Sequence, residues 1–210
     1  MYFFPPQTLI FLPSYVIGTL FIIICVLGII AGFFPRKCSA LTQVRTKGYE
    51  NQSLYIDYKG HHPNCEKYET HIIKFGENYL CAGCIGLIIG GILAIIGSII
   101  YFYLDIVYFY PEIIFNLGII FVVLGLIQHK IDFDNPVLHL ILNIGFVTGA
   151  FLLLASLDYL FTNGLIGLYL LGMILLWINT RIRLSQYDHY LTCNSCDNSC
   201  NLIIKEQNLP

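Results

Sequence analysis

The stretch Cys81-Ala82-Gly83-Cys84-Ile85-Gly86-Leu87-Ile88-Ile89-Gly90-Gly91-Ile92-Leu93-Ala94-Ile95-Ile96-Gly97-Ser98-Ile99-Ile100 carries two kinds of chemistry in one run. Its first four residues are a pair of soft thiol ligands at C-x-x-C spacing. From Ile85 to Leu104 the chain is uncharged and apolar, and it reaches the roughly 20 residues an α-helix needs to cross about 30 Å of hydrocarbon. A thiol pair therefore stands where a membrane helix begins.

Working outward, four more apolar runs reach or nearly reach spanning length, near Leu9–Phe34, Pro111–Gln128, Val137–Leu157 and Leu165–Asn179. The 210 residues are 57% apolar and only 11% charged, far below the ~25% charged residues of an ordinary soluble domain. The run before Phe34 lacks a basic leader and a small-residue cleavage site, and Arg36-Lys37 follows it as a stop-transfer signal does. It is expected to stay as a helix. The reading is an all-α membrane protein of about five transmembrane helices, with a small cytosolic zinc-ribbon-like β-hairpin between the first and second. Its expected divisions are 1–34 (first helix), 35–84 (ribbon-like loop), 85–180 (helices two to five) and 181–210 (a Cys-rich tail).

Charge gives the expected orientation. With five spans, the segments Pro35–Ala82, His129–Pro136 and the tail from Thr180 share one side, and all 11 Lys and Arg residues fall in them. The other side, with Asp105–Tyr110 and Asp158–Asn163, has none. By the positive-inside rule the basic side is cytosolic, so the N-terminus is expected outside and the C-terminus inside a plasma membrane. Aromatic residues crowd the outer edge as an interfacial belt, from Tyr2-Phe3-Phe4 to Tyr108-Phe109-Tyr110. A net charge of -2 argues against nucleic acid, which needs a surplus of Lys and Arg on one surface.

Upstream of Cys81 two β-prone runs flank Gly76 and read as a hairpin. Each end carries a ligand pair, His62-x-x-Cys65 and Cys81-x-x-Cys84, with fifteen residues between them. This is the zinc-ribbon plan, in which thiolates and an imidazole enclose a metal that supplies folding energy to a hairpin too small to fold alone. His61 and His71 are alternatives to His62. A redox pair is the competing reading, because Cys84 stands at a helix N-terminus, where the dipole favours a thiolate. In the tail, His189, Cys193, Cys196 and Cys200 form a second cluster suited to another zinc ion, or less readily to an iron–sulfur centre. One or two zinc ions are thus expected. Cys25, inside the first span, reads as a small apolar residue, and Cys38 as a palmitoylation site or spare thiol.

A third group of polar residues is expected at the same membrane face: Gln128 and His129 ending the third span, Asp132 and Asp134 in the loop, and His139 and Asn143 in the fourth span. His139 and Asn143 are four apart and share a helix face. Polar side chains at this depth are costly and normally turn into the bundle. As interhelical hydrogen-bond glue they need no further role.

Cys81-Ala82-Gly83-Cys84-Ile85-Gly86, preceded by a histidine-containing knuckle, resembles the C-x-R-C-T-G helix start of the membrane proteins called domain of unknown function 2085. Gly125-Leu126-Ile127-Gln128, Asn135 and the run His139 to Gly149 resemble that family's D-G-x-T-Q and N-x-x-R-x-x-x-G region. The likeness covers roughly Gly60 to Gly149, with Gly83 where the family has Arg and Leu124 where it has Asp. It implies the membrane fold and the ligand knuckle, and no reaction.

Three functions compete. A binding or assembly subunit, anchored in the lipid bilayer and docking a protein partner through zinc-stabilised cytosolic modules, leads, because zinc with four protein ligands is closed to substrate. The chain has no H-E-x-x-H helix and no paired catalytic carboxylates, which weighs against an enzyme. A thiol oxidoreductase or other intramembrane enzyme at the cytosolic interface comes second, and a small transporter third.

Overall fold

In the computed structural model, residues 13–33, 58–59, 62–63, 71–76, 78–104, 110–128, 135–161 and 164–194 are described. The elements in chain order are α1 (Ser14–Phe33), β1 (Tyr58–Lys59), β2 (His62–Pro63), β3 (Ile72–Phe75), β4 (Asn78–Cys81), α2 (Ala82–Phe102), α3 (Pro111–Ile127), α4 (Pro136–Phe161) and α5 (Gly164–Asn194). Four helices, α1, α2, α4 and α5, are long and apolar enough to cross a membrane; α3, at 17 residues, is shorter.

The side chains are arranged for lipid. Between its first turn and Ser98 the buried face of α2 is made of small and polar residues, Gly86, Gly90, Gly91, Ala94 and Ser98. Its bulky residues, such as Ile92, Leu93, Ile96 and Ile99, point outward and are exposed. A water-soluble helix does the reverse. Facing lipid, aliphatic side chains gain nothing by turning inward, so packing falls to small residues that let backbones approach. This pattern, together with the helix lengths, is that of a multi-pass membrane protein.

α4 is the central helix, packed against α2 on one side and α3 on the other, while α1 lies on α2, and α5 touches α4 and α1. The two G-x-x-x-G motifs differ in use. At Gly86 and Gly90 the α4 backbone comes so close that an added Cβ would lie 2.6 Å from the Leu140 carbonyl oxygen and 3.0 Å from that of Ile144. A Cβ added at Gly149 would lie 3.0 Å from the Gly118 carbonyl oxygen, whereas one at Gly145 would have only looser contact with Phe121. Ile17, Phe21, Phe102, Val122, Phe146, Leu153 and Leu154 fill the interior.

Local signals fix the helix starts. Pro111 opens α3 with Glu112 in its first turn, both favourable at an N-terminus. At α4 the Asn135 side chain accepts a hydrogen bond from the Val137 amide at 2.9 Å, ahead of Pro136 at the first helical position. The hairpin forms where expected: Ile72 pairs with Cys81 and Phe75 with Asn78 in an antiparallel ladder, turning through Gly76 at φ 63, which favours glycine. A second short ladder pairs Lys59 with His62; the sequence reading did not anticipate it.

Two boundaries move. α4 runs to Phe161, four residues past the apolar run, and takes Asp158 out of the expected outer loop into the bundle, where it is buried. α5 does not stop near Asn179 but continues to Asn194. Hydropathy marks where an apolar environment ends, whereas backbone hydrogen bonding carries the helix on into polar sequence.

Candidate functional site

The site lies at the end of the bundle that bears the hairpin. Cys81 is both the last residue of β4 and the N-cap of α2, in extended conformation and without a side-chain capping bond. Cys84 follows in the first turn. Cys81 and Cys84 are hydrogen-bonded through their side chains, so the strand-to-helix junction itself brings the two thiols together. Both are half-buried, and no disulfide joins them.

Beneath them is a cluster of buried polar side chains from three helices. Gln128 ends α3 at 1% exposure, and Asn143 projects from the second turn of α4 at 2%. The Gln128 Nε2 group donates to the Asn143 Oδ1 atom at 3.1 Å and to the Gly125 carbonyl at 2.8 Å. Asn143 Nδ2 donates in turn to Gln128 Oε1 at 3.5 Å and to the His139 carbonyl. A Cβ built at Gly83 would lie 3.6 Å from Asn143 Nδ2 and 3.7 Å from the Cys81 sulfur. The thiol turn and the amide pair are therefore in contact through glycine.

The third contributor is Arg181 of α5. It is only 8% exposed, donates from Nη2 to Asn143 Oδ1, and lies with its guanidinium carbon 5.5 Å from the centre of the Phe146 ring, within reach for cation–π attraction. It is also within electrostatic reach of Cys81 and Cys84. A lone buried cation costs several kcal/mol unless an opposite charge or good acceptors offset it, and a thiolate on Cys84 or Cys81 would supply such a charge. The acids whose side chains are described, Glu112 and Asp158, belong to the opposite end, where Asp158 accepts a hydrogen bond from the Tyr101 hydroxyl at 3.2 Å.

Over the cluster the hairpin docks on α4. His71, at the start of β3, stacks on His139 with ring centroids 4.7 Å apart, and β3 packs on α4.

The structure thus joins Cys81, Cys84, Gln128, His139 and Asn143 into one site, and adds Arg181, which sequence reasoning had treated as part of the polar tail. Among the described residues no three His, Cys, Asp or Glu side chains come together as a metal-holding group, so His71 and His139 do not complete a set with the thiol pair. For His62 only the strand backbone is described, and for His189 and Cys193 only the helix backbone; the latter two are four apart on α5 and share a face. Cys65, His129, Asp132, Asp134, Cys196 and Cys200 lie outside the described residues. Zinc-ribbon character is therefore not shown by the hairpin alone.

The comparisons are silent. No family model, no curated protein and no solved structure matches this chain.

Proposed function

We propose that this multi-pass membrane protein holds a thiolate-ligated zinc ion at the hairpin end of its helices, and acts there as a binding or assembly subunit. The observation that carries the reading is the mutual contact of Cys81 and Cys84 where β4 becomes α2. A zinc ribbon holds half its ligands in such a pair, and the donor set fits zinc because thiolates are its preferred soft ligands. His62 and Cys65 would complete it. Arg181 suits a centre of net negative charge, as three thiolates and one imidazole around Zn²⁺ make. When bound, the metal would supply folding energy to the hairpin. The residues themselves shape its seat: the Gln128–Asn143 pair supports the thiol turn, and the His71–His139 stack holds the hairpin on the bundle. His189, Cys193, Cys196 and Cys200 would hold a second ion.

The positive-inside rule supports a cytosolic location for this end, in the plasma membrane with the N-terminus outside. The likeness to domain of unknown function 2085 is part of the same proposal.

Metal analysis of the purified full-length protein tests the reading. One or two tightly held zinc ions per chain, reduced by one in Cys81→Ser with Cys84→Ser, is the expected result. Protein free of zinc and iron whose Cys81 and Cys84 alkylate without a lag would overturn it.

One observation favours a second reading. The thiols open onto buried Gln128, Asn143 and Arg181 rather than onto solvent alone, an arrangement also suited to thiol–disulfide exchange, in which a substrate disulfide would oxidise Cys81 and Cys84 and leave as a dithiol. Metal-free protein that equilibrates with a glutathione redox buffer and then forms a Cys81–Cys84 disulfide would favour this reading over zinc.

A further inference from the structure

We propose that the first turn of α2 and Arg181 together bind a phosphate-type oxyanion. The inference goes beyond the zinc reading and does not depend on it, because it rests on the N-terminus of α2 and on the Nε donor of Arg181.

The first observation is the N-terminus of α2. A helix of 21 residues begins inside the protein with a cysteine as N-cap, and that cysteine makes no side-chain capping bond. The first amides of a helix have no intrahelical acceptors, and together with the dipole they favour an anion. The residue between the thiols is Gly83, with no side chain to close off the approach. The second observation, independent of the first, is Arg181. Its side chain is more than nine-tenths buried, and its Nε is a buried donor with no hydrogen-bond partner among the described residues. A thiolate on Cys81 or Cys84 attracts the guanidinium through space, yet neither sulfur takes up Nε. The Nη2 group reaches Asn143, whose amide nitrogen faces Gly83. Guanidinium and helix N-terminus are therefore neighbours through Asn143.

An oxyanion with several oxygens fits that demand. One oxygen would accept from Nε, and others from the α2 amides. This is the planar, many-pointed recognition for which Arg rather than Lys is suited. The site lies at the end of the apolar helices, so the oxyanion could arrive on a phospholipid headgroup or as free phosphate. The two share the chemistry, and the experiment separates them.

The test uses the full-length protein in detergent and in nanodiscs. In detergent, inorganic phosphate is titrated against chloride of equal ionic strength while thermal unfolding is followed. Nanodiscs of phosphatidylcholine alone are compared with mixed phosphatidylcholine–phosphatidylglycerol discs. A rise in the unfolding midpoint with phosphate identifies a free oxyanion, and a rise with phosphatidylglycerol alone identifies the headgroup. Either supports the proposal, provided Arg181→Gln weakens the effect at least tenfold in apparent affinity. Arg181→Lys keeps the charge but not the fork, and should also weaken it; Lys serves if the Gln variant fails to fold. No response of the wild type to either phosphate or phosphatidylglycerol overturns the proposal, as does a response unchanged in both Arg181 variants. Zinc content, measured on the same samples, reports on the proposed function separately.

Discussion

Replacing Gly86 by alanine tests the helix contact on which the site rests. A methyl group there would lie 2.6 Å from both the Leu140 carbonyl oxygen and the Asn143 Cβ, about 0.8 Å inside ordinary van der Waals distance. Neither obstacle is the free end of a flexible side chain, so the helices must separate. Overpacking of this kind costs about 1–3 kcal/mol. Alanine returns about 0.5–1 kcal/mol of helix preference over glycine, leaving a net loss of up to about 2.5 kcal/mol. Gly28 of α1 is the matched control, because its added Cβ would meet nothing within 4 Å, and Gly28→Ala should be neutral or slightly stabilising. Reversible unfolding in mixed micelles, read by circular dichroism, gives both values under one set of conditions. The Gly86 variant should also expose Cys84, one helical residue pair away, to faster alkylation. Equal stability of the two variants would refute the close α2–α4 contact and with it the geometry proposed for the site.

Other outcomes follow from the same contacts. Asn143→Leu removes the acceptor shared by Gln128 and Arg181 and leaves buried donors unmatched; a loss of about 1–3 kcal/mol per stranded group should appear in the same unfolding assay, and it should exceed the loss from Gln128→Leu. His71→Ala removes the ring that stacks on His139, so limited proteolysis should cut sooner within 58–81 while the helical circular dichroism stays unchanged. Tyr101→Phe deletes the donor to Asp158 at the far end of the bundle and should cost about 0.5–1.5 kcal/mol without altering zinc content, which separates effects on the bundle from effects on the site. Chelation of the metal from wild-type protein should reproduce the proteolytic sensitivity of His71→Ala, if zinc holds the hairpin as proposed.

Much of this fold could be read from the chain because a membrane imposes simple lengths. Five apolar runs became five helices, and Gly76 marked the hairpin turn because few other residues take its backbone angle. The pairing of His139 with Asn143 on one face followed from helical spacing, and their inward orientation from the cost of polar groups in lipid. Arg181 escaped for a physical reason. A charge just beyond an apolar run reads as the water boundary, and only tertiary structure reveals that α5 continues and turns this side chain back under Phe146. Asp158 escaped in the same way, at the opposite end. The composition of a window gives an average environment; it does not give the direction in which one side chain points.

The placement of these two charges bears on how such a bundle finds a single arrangement. Lipid-facing Ile and Leu do not discriminate between helix partners, since hydrocarbon surrounds them before and after association. Discrimination must come from contacts that only one packing allows. The glycine approaches at Gly86, Gly118 and Gly149 set the distance between α2, α4 and α3 but leave sliding and rotation open. Polar bonds restrict those: Arg181 and Gln128 both meet Asn143 at the hairpin end, and Tyr101 meets Asp158 at the other, so each end ties different helices to α4. A shift of α4 by one turn would strand all of them in apolar surroundings at once. The thiol turn gains its fixed position from the same ties, because Gly83 rests against the one side chain, Asn143, on which three helices agree.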